Sequence, residues 1–233
     1  MKMIQYRGKR LTVNNLLSID RHSSRKKIVS TSEHSRVGLT REGERKALRK
    51  GRTLPKSFFL RGYYSPTPRS ERTAKLLRKG FLKSGGRSGR KALPSLAMEI
   101  VFKDNAFIDE QIQKHGVQGT IMKWLNHELP ESAVELPEKF AERIVKSFAW
   151  TLLTAGQLGV EGIHLNAIAH DFTVATLYQT LAGKDFSASS MRLPKFNEGL
   201  RLYYVKGSRI IMEYQGKKLD VTKKIEKILS KTS

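Results

Sequence analysis

Short apolar runs alternate along this chain with longer stretches in which apolar residues recur at helical spacing. The runs LLSID (16–20), FFLRGYYSP (58–66) and IHLNAIAHD (163–171) have the length and the residue content of buried strands. The stretches LTREGERKALRKGR (39–52) and SERTAKLLRKG (70–80) are typical of helices. Strands that alternate with helices along a chain predict a layered α/β fold.

Polar and glycine residues predict where the helices begin and end. Thr40 is a favourable N-cap for the first helix, and Gly80 and Gly183 are typical of residues that end helices. The pattern is helical again from about residue 107 to residue 157. The second helix of that region has a buried face, indicated by apolar residues at every fourth position: Phe140, Ile144, Phe148 and Leu152.

The remaining segments complete the predicted architecture. We interpret LAMEIVF (96–102) as a strand, and LRLYYVK with IIMEYQG as a hairpin that turns at Gly207-Ser208 before a basic C-terminal helix. The segment KSGGRSGRK (83–91) lacks the P-loop and dinucleotide-binding spacings, so we interpret it as a surface loop. We predict one domain over residues 1–233, a three-layer α/β/α sandwich with a mostly parallel central sheet. A small helical insertion, acting as a lid, is expected at approximately 83–157.

The composition is that of a soluble globular protein, with 39% hydrophobic and 28% charged residues. No segment approaches the roughly 18 consecutive apolar residues of a membrane-spanning helix. The first residues lack the apolar core of a signal peptide, so we expect a cytoplasmic protein without a membrane partner. The absence of cysteine excludes disulfides, thiolate metal sites and a cysteine nucleophile.

The charge is the unusual property of this sequence. The chain has 44 Lys and Arg residues against 21 Asp and Glu residues, which gives a formal net charge of +23. A field of that sign attracts nucleic acid, acidic membrane surfaces, and phosphorylated metabolites or proteins. Charge alone favours nucleic-acid binding, but it does not locate a site.

Polar residues directly follow three of the predicted strands. Because the carboxyl ends of strands in an open α/β sheet form binding crevices, we expect these residues to converge. Arg25 lies close behind the first of the strands. The residues at the three strand ends are Arg21 and His22, then Ser65 and Pro66 with Arg69 beyond them, then His170 and Asp171.

These residue types suit the transfer of a phosphoryl group. Guanidinium groups bind phosphate oxygens in a planar, bidentate manner. A neutral imidazole can attack phosphorus, and a carboxylic acid can protonate the leaving alkoxide. Fixed cations then stabilise the charge on the equatorial oxygens of the transition state. We therefore expect neither a metal nor another cofactor, and the sequence has no apparent carboxylate cluster of the kind that binds Mg²⁺.

Four motifs, spanning residues 16 to about 182, resemble those of the histidine phosphatase superfamily, which includes phosphoglycerate mutase-like enzymes and histidine acid phosphatases. The motifs are RHSSR, LTREGERKA, SPTPRSERTA and AHD, in the family's order. The family pattern is Arg-His-Gly, Leu-Thr-x-x-Gly-x-x-x-Ala, Ser-Pro-x-x-Arg-x-x-x-Thr-Ala, and a second histidine after a late strand. The second and third motifs match at Leu39, Thr40, Gly43 and Ala47, and at Ser65, Pro66, Arg69, Thr73 and Ala74.

The resemblance implies a role for each residue of the predicted site. His22 is implied as the residue that becomes phosphorylated, while Arg21, Arg25, Arg69 and His170 bind the phosphoryl group. The implied activity is that of a metal-independent phosphomonoester hydrolase that acts through a phosphohistidine on a phosphorylated small molecule or phosphoprotein.

The acid that protonates the leaving group has two interpretations. In the acid-phosphatase branch an Asp directly follows the second histidine, where Asp171 stands. In the mutase branch the acid is a Glu from an inserted segment, for which Asp109 or Glu110 are the nearest candidates. The C-terminal strand pair resembles the acid-phosphatase branch, which favours Asp171.

Some residues depart from the family pattern. Ser23 replaces the usual Gly, and it either crowds the pocket or offers its hydroxyl to phosphate. Lys27 stands where acid phosphatases usually have Pro, and the segment between the halves is short, which implies a small lid. The other histidines are expected to be structural: His34, His115, His127 and His164.

Two alternatives to a phosphatase remain open. One is a phosphoglycerate mutase-like phosphoryl mutase, which needs a lid that protects the intermediate from water. The other is a non-catalytic module on the same fold that binds a phosphorylated ligand or nucleic acid, which the net charge favours.

Overall fold

The computed structural model describes residues 2–25, 36–184, 192–207 and 209–231. Its strands form one nine-stranded sheet, with helices on both faces. The strands are β1 (Lys2–Tyr6), β2 (Lys9–Arg21), β3 (Phe59–Tyr64), β4 (Arg87–Ser88), β5 (Leu93–Pro94), β6 (Ile163–Ala169), β7 (Gly199–Val205), β8 (Arg209–Tyr214) and β9 (Lys217–Asp220). The helices are α1 (Arg41–Thr53), α2 (Pro68–Lys83), α3 (Asn105–Leu125), α4 (Pro137–Gln157), α5 (Asp171–Ala182) and α6 (Thr222–Ser230).

The strand order is β4-β3-β6-β2-β7-β8-β9, with β1 paired to β2 and β5 paired to β3. In the middle of the sheet β2, β3 and β6 run parallel, and β4 and β5 run parallel to β3. Strands β7, β8 and β9 add an antiparallel edge to the sheet. Short turns can join these strands because antiparallel neighbours need no crossover helix. The predicted α/β/α fold with a mostly parallel central sheet is confirmed.

The two faces of β2 separate the helix layers. Leu17 and Ile19 pack into the larger hydrophobic core, to which α4, α5 and α6 contribute. The smaller core on the other face joins α2 to Leu60 of β3. Ser18 and Asp20, which alternate with the core residues, face the layer formed by α1 and α2 and give that face a buried polar row. No helix in these described ranges is long and apolar enough to cross a membrane.

The prediction that Gly80 ends a helix is wrong. Helix α2 continues to Lys83, and Gly80 lies where α2 crosses α1. A Cβ atom at Gly80 would lie 2.1 Å from the carbonyl oxygen of Leu48, and one at Gly51 would lie 2.1 Å from that of Leu77. The two glycines therefore allow the helix backbones to touch. Gly183, in contrast, ends α5 in the left-handed conformation, as predicted.

The segment between the two halves is only partly as predicted. A 3-10 turn (Leu96–Met98) replaces the strand predicted over 96–102, because Met98 turns into the core. The predicted apolar stripe of α4 is buried in the larger core, so α4 belongs to the helix layer. Helix α3 is interrupted at Gly116, where φ is 69°. The hairpin formed by β7 and β8 is confirmed, although Ser208 at its predicted turn lies outside the described residues.

Candidate active site

Three parallel strands end at the same level of the sheet. Arg21 of β2 lies beside Ala169 of β6, and Tyr64 of β3 lies beside Ile168. The chain leaves the sheet there in three places, and the first residues beyond the strands carry the predicted chemistry: His22, Ser65 and His170.

The two histidines of the predicted site lie next to each other. The ring centroids of His22 and His170 are 5.4 Å apart in an edge-on arrangement, and the residues are 3% and 5% exposed. Arg69 lies between them: its Nε donates to His22 Nε2 at 3.1 Å, and its Nη2 is 3.4 Å from His170 Nδ1. The fold thus brings together residues that are 47 and 101 positions apart in the chain.

The surroundings of His22 define its tautomer. Nδ1 lies 2.8 Å from the carbonyl oxygen of Ser23, which can only accept, so Nδ1 carries the proton. Nε2 accepts from Arg69 and therefore has a lone pair. Burial lowers the pKa of His22 well below 6.5, and the charges of Arg69, Arg21 and Arg25 lower it further, against the opposing effect of the Ser23 hydrogen bond. His22 is a neutral imidazole with its unprotonated nitrogen facing a guanidinium.

Among the residues that the structure describes, the site brings together three guanidinium groups and one paired carboxylate. Arg69 is 1% exposed, and burial with the charge of Arg25 lowers its pKa to about 10. Burial and the charge of Arg21 lower the pKa of Arg25. Arg21 Nη2 lies 2.9 Å from Asp171 Oδ2. The charge of Asp171 partly opposes the lowering of the pKa of Arg25 and of Arg69. This cluster holds more positive than negative charge, which favours a dianionic ligand.

The residues around His170 hold its ring in place. Ser65 Oγ is 3.0 Å from His170 Nε2, and the Ser65 hydroxyl donates to Ser70 Oγ at 2.9 Å. The Ser65 oxygen therefore accepts from Nε2–H, which leaves Nδ1 facing Arg69. Phe172 stacks on the other side of the imidazole at 5.1 Å.

The second and third sequence motifs support the loop that carries His22. The backbone N–H of Ser23 donates to Thr73 Oγ1 of α2 at 3.1 Å. A Cβ atom at Gly43 of α1 would lie 2.1 Å from the carbonyl oxygen of Ser24, so only glycine permits this approach. Thr40 is the N-cap of α1, as predicted, and accepts from the Gly43 N–H at 3.0 Å. Both helices thus fix the position of the loop that carries His22.

Ser23 occupies a different place from the one expected of a phosphate ligand. Its side chain is fully buried, and the hydroxyl donates to the carbonyl oxygen of Gly43 at 2.7 Å. The same oxygen accepts from Asn197 Nδ2 at 2.9 Å. With both partners supplied by the protein, the geometry does not support a direct phosphate contact for Ser23; it ties the loop to α1 and to the segment before β7.

Sequence reasoning missed a buried polar network behind the loop that carries His22. Lys50 Nζ of α1 lies 2.7 Å from Asp20 Oδ1 and also donates to the carbonyl oxygen of Asn197. The backbone N–H of Asn197 donates to the Arg21 carbonyl oxygen at 3.1 Å. Burial raises the pKa of Asp20, but the charges of Lys50 and Arg201 more than offset this, so the pKa lies below its usual value. The only sequence signal for this network is a carboxylate inside an apolar strand, two residues before His22.

Phe196 is a second residue that the sequence did not reveal. The Arg21 guanidinium lies 4.3 Å from the centroid of the Phe196 ring, and the His22 ring is 5.7 Å from it. This cation–π contact and the ion pair with Asp171 both hold the Arg21 guanidinium at the site.

The other candidate residues have separate positions. Asp109 and Glu110 lie on α3, and within the described ranges neither forms a hydrogen bond or an ion pair with the site. His164 is buried and lies 2.8 Å from Ser18 Oγ, while His127 pairs with Glu138 at the surface. Lys27 and His34 lie outside the described residues.

Sequence comparison finds no matching family model and no matching curated protein. Structure comparison finds similar folds. The chain is similar to a mycobacterial glucosyl-3-phosphoglycerate phosphatase, determined with inorganic phosphate, at 14% identity and a TM-score of 0.60, covering 87% of this chain and 97% of that one. It is also similar to a phosphoglycerate mutase from Bacillus anthracis, at 19% identity and a TM-score of 0.53, covering 94% and 97%. A phosphoserine phosphatase from Entamoeba histolytica matches at 16% identity and a TM-score of 0.56, covering 86% and 95%.

These neighbours are phosphatases and mutases of the phosphoglycerate mutase-like, histidine phosphatase fold, as the four motifs suggest. At such identities the likeness shows the fold of this chain and not its reaction.

Proposed function

We propose that this protein is a metal-independent phosphomonoester hydrolase that forms a phosphohistidine on His22. One observation carries the proposal: a buried neutral imidazole faces a cluster of three guanidiniums, Arg21, Arg25 and Arg69, that contains more positive than negative charge. A dianionic phosphoryl group supplies the missing negative charge, and fixed cations lower the energy of the transition state. The phosphatases among the structural neighbours support the same reaction class.

The first chemical step transfers the phosphoryl group to the protein. The phosphoryl oxygens take over the Nε–H of Arg69, which releases the lone pair of His22 Nε2. Nε2 then bonds to phosphorus while the bond from phosphorus to the substrate oxygen breaks. The proton stays on Nδ1 and is donated to the Ser23 carbonyl oxygen, so that hydrogen bond stabilises the positive charge that the ring acquires.

Asp171 is the proposed acid for the leaving group. It lies at the start of α5 with a side chain that is 20% exposed, so it can reach a substrate in the cleft. Phosphate takes the place of Asp171 on Arg21, and the proton of the substrate's phosphate monoanion moves to the Asp171 carboxylate. The substrate is then the dianion, and Asp171 passes this proton to the alkoxide as the leaving bond breaks. In the second step water bonds to phosphorus and gives its proton to the Asp171 carboxylate. The Nε2–P bond then breaks and inorganic phosphate leaves.

A mutase reaction through the same phosphohistidine intermediate is the alternative to hydrolysis. A mutase passes the phosphoryl group of His22 to a second hydroxyl of the substrate, which requires that water be excluded from the cleft. The phosphoglycerate mutase among the neighbours makes this the natural comparison. The role of residues 83–157 as a lid stays a prediction. The partition of the phosphoryl group between water and an added alcohol measures how well water is excluded from the cleft.

The test compares His22→Asn with the wild-type protein in the presence of a chelator. Asn at this position keeps an N–H donor for the Ser23 carbonyl but removes the nucleophilic nitrogen. The control is His127→Asn, because His127 is an exposed histidine whose ring pairs with Glu138. Substrates are p-nitrophenyl phosphate, phosphoserine and 3-phosphoglycerate, and the readout is released phosphate. We expect His22→Asn to lower turnover by about a thousandfold or more while His127→Asn retains activity. Equal turnover by both variants would exclude the mechanism.

A further inference from the structure

The layer formed by α1 and α2 is strongly basic. Each helix carries six Lys or Arg residues, against two Glu residues in α1 and one in α2. The two helices pack on each other through Ala47 and the glycines of their crossing. Lys50 and Arg69 are directed inward, to Asp20 and to His22, and the other charged side chains of the two helices are exposed or half-buried.

Every carboxylate of these two helices already has a partner. The ion pairs are Glu42–Lys46 at 2.6 Å, Glu44–Arg72 at 2.7 Å and Glu71–Lys75 at 2.6 Å. The remaining cations of the layer therefore have to find their counter-charge outside it.

Four exposed arginines of α1 form one stripe: Arg41, Arg45, Arg49 and Arg52. Their spacing of four, four and three residues places them within an arc of about 80° over a length of roughly 16 Å. Within the described ranges none of the four lies in an ion pair or a side-chain hydrogen bond. Like charges at this spacing repel each other, and a linear polyanion removes that repulsion.

The residue types decide between polyanions. A helix that inserts into an acidic membrane needs exposed apolar side chains beside its basic residues, and α1 exposes no large apolar side chain. Binding to single-stranded nucleic acid relies on aromatic stacking, and neither α1 nor α2 has an exposed aromatic residue. Rows of arginine without either feature suit the phosphate backbone of a duplex, which is recognised without base contacts.

We propose that the stripe Arg41–Arg45–Arg49–Arg52 binds the phosphate backbone of double-stranded nucleic acid. This surface is separate from the phosphate cleft, and the proposal does not depend on the reaction proposed above. Only Arg41 adjoins the cleft, because α1 begins at the loop that holds Ser24. The other three arginines can be changed without touching the candidate active site.

The test measures fluorescence anisotropy of a 20-base-pair duplex, in DNA and RNA forms, with 5′-hydroxyl ends that offer the cleft no terminal phosphate. The stripe variant is Arg45→Gln/Arg49→Gln/Arg52→Gln, in which glutamine preserves helix propensity. The control variant removes equal charge from the opposite helix layer: Lys223→Gln/Lys224→Gln/Lys227→Gln, all exposed on α6. Far-UV circular dichroism verifies that each variant is folded.

We expect the stripe variant to raise the Kd at low salt by about tenfold or more and to reduce the slope of log K against log salt by about two to three. The control variant should have a much smaller effect on both. The single change Arg49→Glu should likewise weaken binding more than Lys224→Glu. Equal effects of the stripe and control variants would overturn the proposal, as would no duplex binding by the wild type at low salt. Binding to phosphatidylserine vesicles without binding to duplex would overturn it in favour of a membrane.

Discussion

The ion pair between Lys50 and Asp20 lies directly behind the loop that carries His22. Lys50→Met keeps the length and the apolar stem of the side chain but removes its charge. The change leaves the Asp20 carboxylate, which is 1% exposed, with Asn166 Nδ2 at 2.9 Å and the charge of Arg201 nearby, but without its ion-pair partner. It also removes the donor to the carbonyl oxygen of Asn197.

The expected cost follows from the burial of the pair. Loss of one partner of a buried ion pair costs about 3–5 kcal/mol, and the lower end applies because the Lys50 side chain is 15% exposed. A protein of this size loses about 2–4 °C of Tm per kcal/mol. We therefore expect Lys50→Met to lower the Tm by about 6–12 °C. Phosphatase turnover should fall as well, because Asn197 holds the backbone of Arg21 and the side chain of Ser23.

The matched control is Lys46→Met, one turn earlier on α1. Lys46 also pairs with a carboxylate, Glu42, but its side chain is 47% exposed, so its loss should change the Tm little. The double variant Asp20→Asn/Lys50→Met removes both charges and should recover part of the lost stability. Thermal and urea unfolding followed by circular dichroism measure all of these effects.

The sign of the pH dependence gives an independent check. Because the pKa of folded Asp20 lies below its ordinary value of 3.8, the pair contributes stability above that pH and loses it as pH falls through the folded pKa. The difference between the wild type and Lys50→Met should therefore shrink below about pH 3.8. The reasoning is refuted if Lys50→Met costs no more than Lys46→Met at neutral pH.

Three further predictions concern packing, protonation and catalysis. Gly80→Ala should lower the Tm clearly, because its Cβ meets the Leu48 carbonyl at 2.1 Å, whereas Gly156→Ala, with open space around it, should be neutral or stabilising; calorimetry compares them. In an NMR titration assigned with His22→Asn, the imidazole of His22 should stay neutral at pH 6.5, and a midpoint at or above 6.5 contradicts this. Asp171→Asn should slow hydrolysis of alkyl phosphates by about 10²–10⁴-fold but affect p-nitrophenyl phosphate much less; equal losses argue against the acid role.

Local sequence patterns predicted the carboxyl ends of the strands because each strand end depends on a few consecutive residues. An apolar run followed by Arg21-His22, or by His170-Asp171, predicts a strand and also the polar residues at its carboxyl end. Parallel strands then bring such ends together, so the pairing of the two histidines followed from the fold class. The capping by Thr40 is equally local.

Contacts between distant positions left much weaker signals. Lys50 is one cation among many in α1, and nothing near it in the sequence shows that it meets Asn197, 147 positions away. Gly80 resembles a helix-ending residue because both roles require a missing Cβ atom. Ser23 was expected either to crowd the pocket or to offer its hydroxyl to phosphate, but the direction of a hydroxyl depends on partners from α1 and from the segment before β7. Such partners are known only once the helices are packed.

The central claim is that His22 Nε2 forms a covalent bond to the transferred phosphoryl group. Rapid acid or base quenching after mixing with ³²P-labelled substrate measures this bond directly. We expect label on the wild-type chain that is stable to base and labile to acid, mapped by peptide analysis to His22. The label should be lost in His22→Asn and retained in His127→Asn. Phosphate release by the wild type without any labelled chain at any quench time would contradict the claim, as would label on a residue other than His22.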